Sequence, residues 1–326
     1  MASSEIEVFE KHCSNGKCTT QVETASSETP SISLTREQVE AFHNNGFLYL
    51  KKFVASTELL ELKATLESLL EKQVGSREGA RVDLLGGESH KPEGSSFQLN
   101  NPMNFAPNLH RTQCFRDALS IARQLLGEDA RCLWDFAILK KAKTGTSTPW
   151  HQDEASRDPR FEYNELTVWI PMQNADANSS CLQFIPGSHL AGVLKHGSPC
   201  GDSGAHALQC EVDFDAQAAV PCNLPAGGCT IHHPRTLHYA GPNSSDHSRL
   251  AYILTFGVAP KPSSTVRSFP WLEKRHTDAQ RRRRQWMWRG GLFVTAWRKL
   301  RRREFKDWRS VAYGVKRSLE VLRSGR

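Results

Sequence analysis

Two histidines and an aspartate, His151, Asp153 and His238, could hold one metal ion between them. Alternate side chains of an extended strand share a face, so His151 and Asp153, at i and i+2, can bind one ion together while the distant His238 completes the set. Two imidazoles and one carboxylate on one face of an octahedron, with the opposite face open, suit a non-haem Fe(II) oxygenase that binds O2. Arg249 lies 11 residues beyond His238, a spacing that lets the next strand return it beside the metal. A guanidinium there can fork a carboxylate through two parallel hydrogen bonds, a geometry that lysine cannot copy. 2-Oxoglutarate answers both features, because its keto and adjacent carboxylate oxygens chelate a metal while its far carboxylate requires such a fork. Asp153 leaves no position for chloride, which disfavours halogenation.

Competing residues are weaker candidates. His232 and His233 lie close to His238, but only His238 is followed by the Gly241-Pro242-Asn243 run and the arginine. His189, after a Pro186-Gly187-Ser188 turn, has a structural reading, and His247 sits in an expected exposed loop. The pairs Asp202 and Asp213, or Glu154 and Asp158, show no spacing that points to paired-carboxylate acid and base work. The chain carries no Gly-x-Gly-x-x-Gly, P-loop or Gly-x-Ser-x-Gly motif,.

Elements must position these groups. Thr35 and Gln38 form a capping box at the start of a helix that Gly46 ends, followed by a short strand Phe47-Leu48-Tyr49-Leu50. Leu59, Leu62, Leu66, Leu69 and Leu70 recur at helical spacing, which predicts a second amphipathic helix over 56–73. The stretch 76–107 is rich in Gly, Ser, Asn and Pro and reads as a long loop, a lid or substrate-facing segment. A third helix over 116–126 closes at Gly127. Strand-like runs then follow at 132–139, 166–172, 181–185, 229–233 and 251–258, and the turn residues between them fit a β-sandwich or barrel better than βαβ units.

The 326 residues and 38% hydrophobic content suffice for a sizeable core,. Residues 1–33 lack periodicity and are expected to form a disordered tail, and 34–270 the main domain. Nine cysteines, with no Cys-x-x-Cys pair, suggest reduced thiols rather than disulfides or a zinc ribbon,. No apolar run reaches membrane-spanning length and residues 1–30 carry no leader-like core, so a cytoplasmic location is expected. Charge is uneven: residues 272–326 hold 18 Lys and Arg against 5 Asp and Glu, leaving a mildly acidic body with no sign of nucleic-acid binding,. That basic segment 271–326, with Trp286, Trp288, Trp297 and Trp308, reads as a helical extension. Its tryptophans pack on the barrel, or it associates weakly with an anionic membrane surface.

The runs Pro149-Trp150-His151-Gln152-Asp153-Glu154, Leu166 to Met172, Pro186-Gly187-Ser188-His189, and His233 to Asn243 ending at Arg249 resemble the phytanoyl-CoA dioxygenase family over roughly residues 34–260. The resemblance implies a mainly β fold with flanking helices: a double-stranded β-helix, the jelly-roll or cupin-like core, behind N-terminal helices. It also implies Fe(II), 2-oxoglutarate and O2, with His151, Asp153 and His238 as ligands and Arg249 on the far carboxylate. Trp169 matches an aromatic position bordering the cosubstrate, and Phe136 and Lys140 are assigned to the same pocket. One departure is Ala240, where some members carry a serine whose hydroxyl reaches the cosubstrate; the basic segment after residue 271 has no counterpart. The implied reaction couples oxidative decarboxylation of 2-oxoglutarate, giving succinate and CO2, to hydroxylation of an unactivated C–H bond; desaturation, epoxidation and rearrangement stay open. The expected substrate is a hydrophobic small molecule of specialised metabolism, the alternative a fatty acyl-CoA hydroxylated at C2. The alternative from another class is a non-catalytic scaffold of the same fold.

Overall fold

The computed structural model describes residues 32–84, 96–145, 147–199 and 207–273, with a few short segments elsewhere. Of the tail expected to be disordered at 1–33, the described residues form short strands, Glu7–Phe9 paired with Val22–Thr24 and Cys13–Ser14 with Lys17–Cys18; the basic segment beyond residue 273, with the membrane contact expected of it, falls almost wholly outside the described residues. Among the described residues no helix is long and apolar enough to cross a membrane.

Helix α1 (Arg36–Asn45) starts on the expected capping box: Gln38 N–H donates to the Thr35 hydroxyl at 3.3 Å, and Thr35 N–H to the Gln38 side chain at 2.8 Å,. It ends at Gly46, in the left-handed region at φ +81°, where an added Cβ would lie 2.5 Å from both His189 Nδ1 and Thr236 Oγ1,. Glycine therefore meets two demands at this turn, and its carbonyl accepts from the Thr236 hydroxyl and the His233 N–H. Strand β1 (Phe47–Leu50) follows. Helix α2 (Ser56–Glu71) buries Leu59, Leu62, Leu66 and Leu70.

The stretch read as one long loop is corrected by the structure. Strands β2 (Arg81–Asp83) and β3 (Ser96–Asn100) pair with each other, and β3 continues the main sheet. Both are short: β3 alternates, with Phe97 and Leu99 between Ser96, Gln98 and Asn100, but over only five residues inside a stretch rich in Gly, Ser, Asn and Pro,. Helix α3 (Gln113–Leu126) begins three residues before the expected Arg116. The Glu58 carboxylate on α2 accepts from the Gln113 and Cys114 N–H groups, a tertiary cap with no local signature,.

The remaining strands form a jelly roll: β4 (Arg131–Lys140), β5 (Thr148–His151), β6 (Glu165–Pro171), β7 (Leu182–Phe184), β8 (Val220–Pro221), β9 (Cys229–His232), β10 (His238–Ala240) and β11 (Arg249–Gly257). A seven-stranded antiparallel sheet runs β1-β9-β6-β11-β4-β3-β2, and a four-stranded sheet runs β8-β7-β10-β5. Both faces of the central strands are covered. Leu166, Val168, Ile170, Leu250, Tyr252, Leu254 and Phe256 meet α2 and α3 on the outside, while Trp169, Ala251 and Ile253 face Phe47 and Phe184 inside,. That makes β6 and β11 continuously buried, which is why they read as apolar runs without alternation.

Candidate active site

His151 and His238 stand directly opposite each other on neighbouring antiparallel strands β5 and β10, with ring centroids 4.1 Å apart. The residues on the other face of this pair, Trp150 and Tyr239, stack at 5.2 Å and so stiffen both ligand strands from behind,. β5 stops at His151; Gln152 remains extended and Asp153 opens a 3-10 turn, so the i, i+2 relation survives although the strand does not. One donor atom from each of His151, Asp153 and His238 lies within 4.8 Å of the other two. His151 Nε2 is 3.7 Å and His238 Nε2 3.8 Å from Asp153 Oδ1, so that oxygen faces both imidazoles.

The tautomers follow from the backbone. His151 Nδ1 lies 2.8 Å from the Pro149 carbonyl and His238 Nδ1 2.9 Å from the Thr236 carbonyl. A carbonyl only accepts, so each Nδ1 carries the proton and each Nε2 presents its lone pair to the shared centre. Burial lowers the pKa of both histidines, well below the usual value for His238, with neighbouring imidazoles adding to the effect. Both are neutral at pH 7, the form that ligates a metal. Burial alone would raise Asp153, but the surrounding His232, His238 and His151 outweigh it and hold the carboxylate ionised,.

Gln152, between the ligands, points away from the metal centre and is buried. Its amide donates to the Gly192 and Arg235 carbonyls at 2.8 and 2.6 Å and accepts from Leu194 N–H at 2.7 Å. Its own N–H donates to His196 Nε2 at 3.1 Å, while His196 Nδ1 donates to the Leu194 carbonyl at 2.8 Å. Glu154 is buried against Arg267 at 2.6 Å, and Trp271 donates to the Ala155 carbonyl at 2.8 Å. The chain after β11 thus lies against the ligand turn.

His196 needs its neutral form to accept from Gln152, and burial brings its pKa down to about 4. The unfolded chain takes up that proton near pH 6.5, so the contribution of roughly 3 kcal/mol is complete above pH 6.5 and is lost as pH falls through about 4. Thermal melts of the metal-free protein are expected to show Tm dropping across that window, with His196→Leu flattening part of the slope; a wild-type Tm constant from pH 7 to 4 contradicts this.

Arg249, first residue of β11, is opposite Lys140, last residue of β4, with both side chains on the inner face. The guanidinium is 2% exposed, and its Nε and Nη1 have no hydrogen-bond partner among the described residues. Burial draws its pKa down to about 10, so it stays a cation at neutral pH. Trp169 sits 5.4 Å beneath it. Lys140 is equally buried, but its Nζ donates to the Ala240 and Gly241 carbonyls at 3.0 and 2.9 Å. Burial and then Arg249 push its pKa well below the usual lysine value. Phe136 is packed with Trp169 and Ile138 on the same inner face.

A buried guanidinium with free donors is costly unless an anion completes it. A dicarboxylate with one end on the Arg249 fork meets that need, and the His-Asp-His donor set fits Fe(II). Beside the guanidinium stands Ser180, whose Oγ donates to the Gly241 carbonyl at 2.6 Å and accepts from Arg249 Nη2 at 3.4 Å. Sequence reasoning missed Ser180. It follows a turn in which the Asp176 side chain accepts from Asn178 and Ser179, and its own φ is +67°. A serine in such a turn looks like ordinary loop chemistry. Thr167 and His232, which flank Asp153, were also missed as site residues.

An antiparallel jelly roll with two imidazoles on its smaller sheet, a carboxylate on the adjoining turn and a buried guanidinium across the interior defines a non-haem Fe(II)/2-oxoglutarate oxygenase of the double-stranded β-helix class. The chain belongs to the phytanoyl-CoA dioxygenase (PhyH) family, whose sequence profile matches residues 42–251. It is 25% identical over 230 residues, 68% of this chain and 78% of the relative, to a probable alpha-ketoglutarate-dependent hypophosphite dioxygenase of Stutzerimonas stutzeri. Among solved structures it is similar to EvdO2 from Micromonospora carbonacea var. aurantiaca complexed with 2-oxoglutarate, with 30% identity and a TM-score of 0.63 over 74% of this chain and 97% of that one. The fold is shared with the non-heme alpha ketoglutarate dependent carbocyclase SnoK from nogalamycin biosynthesis, at 22% identity and a TM-score of 0.56 over 72% and 88% of the two chains. The protein is an Fe(II)- and 2-oxoglutarate-dependent dioxygenase that uses O2.

Proposed function

We propose that His151, Asp153 and His238 hold Fe(II), and that Arg249, with Trp169 beneath it and Ser180 beside it, holds the far carboxylate of 2-oxoglutarate. Phe136 forms the apolar wall of the same pocket, and Lys140 supports its floor by tying down the Ala240 and Gly241 carbonyls. The observation that carries this reading is the buried Arg249 guanidinium with two nitrogens lacking a partner among the described residues, on the inner face of the jelly roll that holds the triad. When bound, Fe(II) and 2-oxoglutarate supply O2-dependent oxidation: 2-oxoglutarate, O2 and R–H give succinate, CO2 and R–OH. The protein's part is to keep both Nε2 lone pairs unprotonated, to hold Asp153 ionised, and to exclude water from around the guanidinium.

The substrate in this reading is a hydrophobic small molecule of specialised metabolism. Support comes from the aromatic and aliphatic inner face, Phe136, Ile138, Trp169 and Phe184, and from the setting of SnoK. The proposal includes a cytoplasmic enzyme. Its basic segment 271–326, with 18 Lys and Arg against 5 Asp and Glu from residue 272 onward, favours weak contact with anionic membrane surfaces,. Anaerobic titration of Fe(II)-loaded protein with 2-oxoglutarate is expected to produce the visible charge-transfer band of a chelated cosubstrate. Candidate terpenoids, polyketides and acyl-CoAs are then ranked by how far each accelerates succinate release. Absence of the band overturns the cosubstrate assignment, and acceleration confined to acyl-CoAs overturns the substrate class.

A further inference from the structure

Apart from the Arg249 and Lys140 end, the inner face of the large sheet carries a second polar rung, close to Asp153. Cross-strand partners Thr255 on β11, Thr167 on β6 and His232 on β9 lie side by side, next to the apolar rung of Ile253, Trp169 and Thr230. All three are buried, His232 to 2% exposure. Burying two hydroxyls and an imidazole in a jelly-roll interior costs stability unless each finds a partner. The partner here is the second oxygen of Asp153: Thr167 Oγ1 donates to Oδ2 at 3.1 Å, and Thr255 Oγ1 backs Thr167 at 3.4 Å. His232 Nε2 lies 3.5 Å from the same Oδ2, close enough to face it without a formed hydrogen bond, and neither ring nitrogen has a hydrogen-bond partner among the described residues. Its ring also sits 4.6 Å from that of His238 and 5.2 Å from Phe184, which leaves it little freedom to turn elsewhere.

Asp153 is therefore divided. Oδ1 faces the two ligand imidazoles and Oδ2 faces the Thr167 and His232 donors. This matters because a carboxylate can bind a metal through one oxygen or two. Bound Fe(II) would need, beyond the three protein donors, room for a chelating 2-oxo acid and a third open position for O2. A carboxylate that swung to use both oxygens would crowd that third position. Resting on the metal assignment proposed above, we infer that Thr167 and His232 are positioning residues that occupy Oδ2 and hold Asp153 as a one-oxygen ligand, so that the third position stays open. The role needs only a proton on His232 Nε2, facing Oδ2.

The test uses the full chain and Co(II), whose visible absorption reports coordination number, alongside a dissociation constant from the same titration. Outer partners of metal ligands are worth about 10–100-fold in affinity or activity. Thr167→Val, which keeps shape and removes the donor, is expected to weaken Co(II) binding about 10-fold and to alter the Co(II) spectrum. His232→Leu is expected to do the same, whereas His232→Gln, which retains an N–H donor, stays within about 3-fold of wild type. Turnover should show the matching split, with O2 use falling more than 2-oxoglutarate affinity. Wild-type Co(II) affinity and spectrum in Thr167→Val overturn the clamp, and so does an equal loss in His232→Gln and His232→Leu. If His232→Leu does not fold, Thr167→Val and His232→Gln decide the matter. Failure of the wild-type chain itself to bind Co(II) overturns the metal assignment instead.

Discussion

Asp153→Ala is expected to cut iron- and 2-oxoglutarate-dependent succinate formation by about 10²–10³-fold, while leaving the fold intact. A four-ligand metal site contributes on the order of 10–16 kcal/mol in total, so one ligand carries roughly 3–4 kcal/mol, or two to three orders of magnitude in affinity. Asp153 is also the sole anion of the three, and its loss leaves a doubly charged ion facing two neutral imidazoles and a nearby guanidinium. The metal-free variant should still melt cooperatively but below the wild-type temperature, because removing the carboxylate leaves the buried Thr167 and His232 groups that face its Oδ2 without a partner,. The wild-type protein gains Tm on adding metal in proportion to ligand over Kd, and the variant should not. Asp153→Asn separates charge from shape: an amide keeps an oxygen toward the imidazoles, and any recovered binding measures what the oxygen contributes without its charge. Full turnover by Asp153→Ala with iron present would sink the triad assignment.

Much of this site is legible in the sequence because its chemistry needs particular side chains at particular spacings. His151 and Asp153 share a face in any extended segment, and the 11 residues from His238 to Arg249 are what a strand, a turn and the start of the next strand require. The capping box at Thr35 and the leucine stripe of α2 are equally local, and both appear where the sequence predicts them. What escapes is whatever depends on a partner far along the chain. The start of α3 joins a local Thr112 cap to the distant Glu58 carboxylate, and β3 is held as a strand by the edge that β4 presents, with β2 pairing onto β3 in turn. Ser180 serves the Arg249 pocket through a left-handed turn that reads as an ordinary loop. His232 is the instructive case. Six residues before His238, it looked like a flanking histidine, yet the register of β9 on β6 brings it under Asp153. A polar residue at an inward position of an otherwise apolar strand was the signal available, and it becomes readable only once the strand pairing is known.

Arg249→Lys is expected to raise the KM for 2-oxoglutarate about 10–100-fold with a much smaller change in kcat, and Arg249→Ala to raise it by about 10³-fold. The reasoning turns on what a buried fork does that a buried point charge does not. Arg249 Nε and Nη1 have no partner among the described residues and Nη2 has only a 3.4 Å contact with Ser180, so the Nη1 and Nη2 pair can meet both oxygens of a carboxylate at once,. Lysine at this position keeps the charge but offers one donor direction, and its shorter reach leaves part of the carboxylate unsatisfied. Removing one member of a buried charged pair costs roughly 3–5 kcal/mol, which converts to the larger figure for alanine. The effect falls on KM because the far carboxylate does not react; its contact is alike in ground and transition states. Lys140 is a nearby cation that could step in, but its Nζ already serves two carbonyls, of Ala240 and Gly241, just beyond the His238 ligand. Leaving them would cost the floor of the pocket. Without cosubstrate, Arg249→Ala should be as stable as wild type or more so, since an unpaired buried cation is gone, and the Tm rise that 2-oxoglutarate gives the wild type should vanish. A KM within about 3-fold of wild type in Arg249→Ala would instead assign the cosubstrate's far carboxylate to Lys140, and Lys140→Met would then carry the loss.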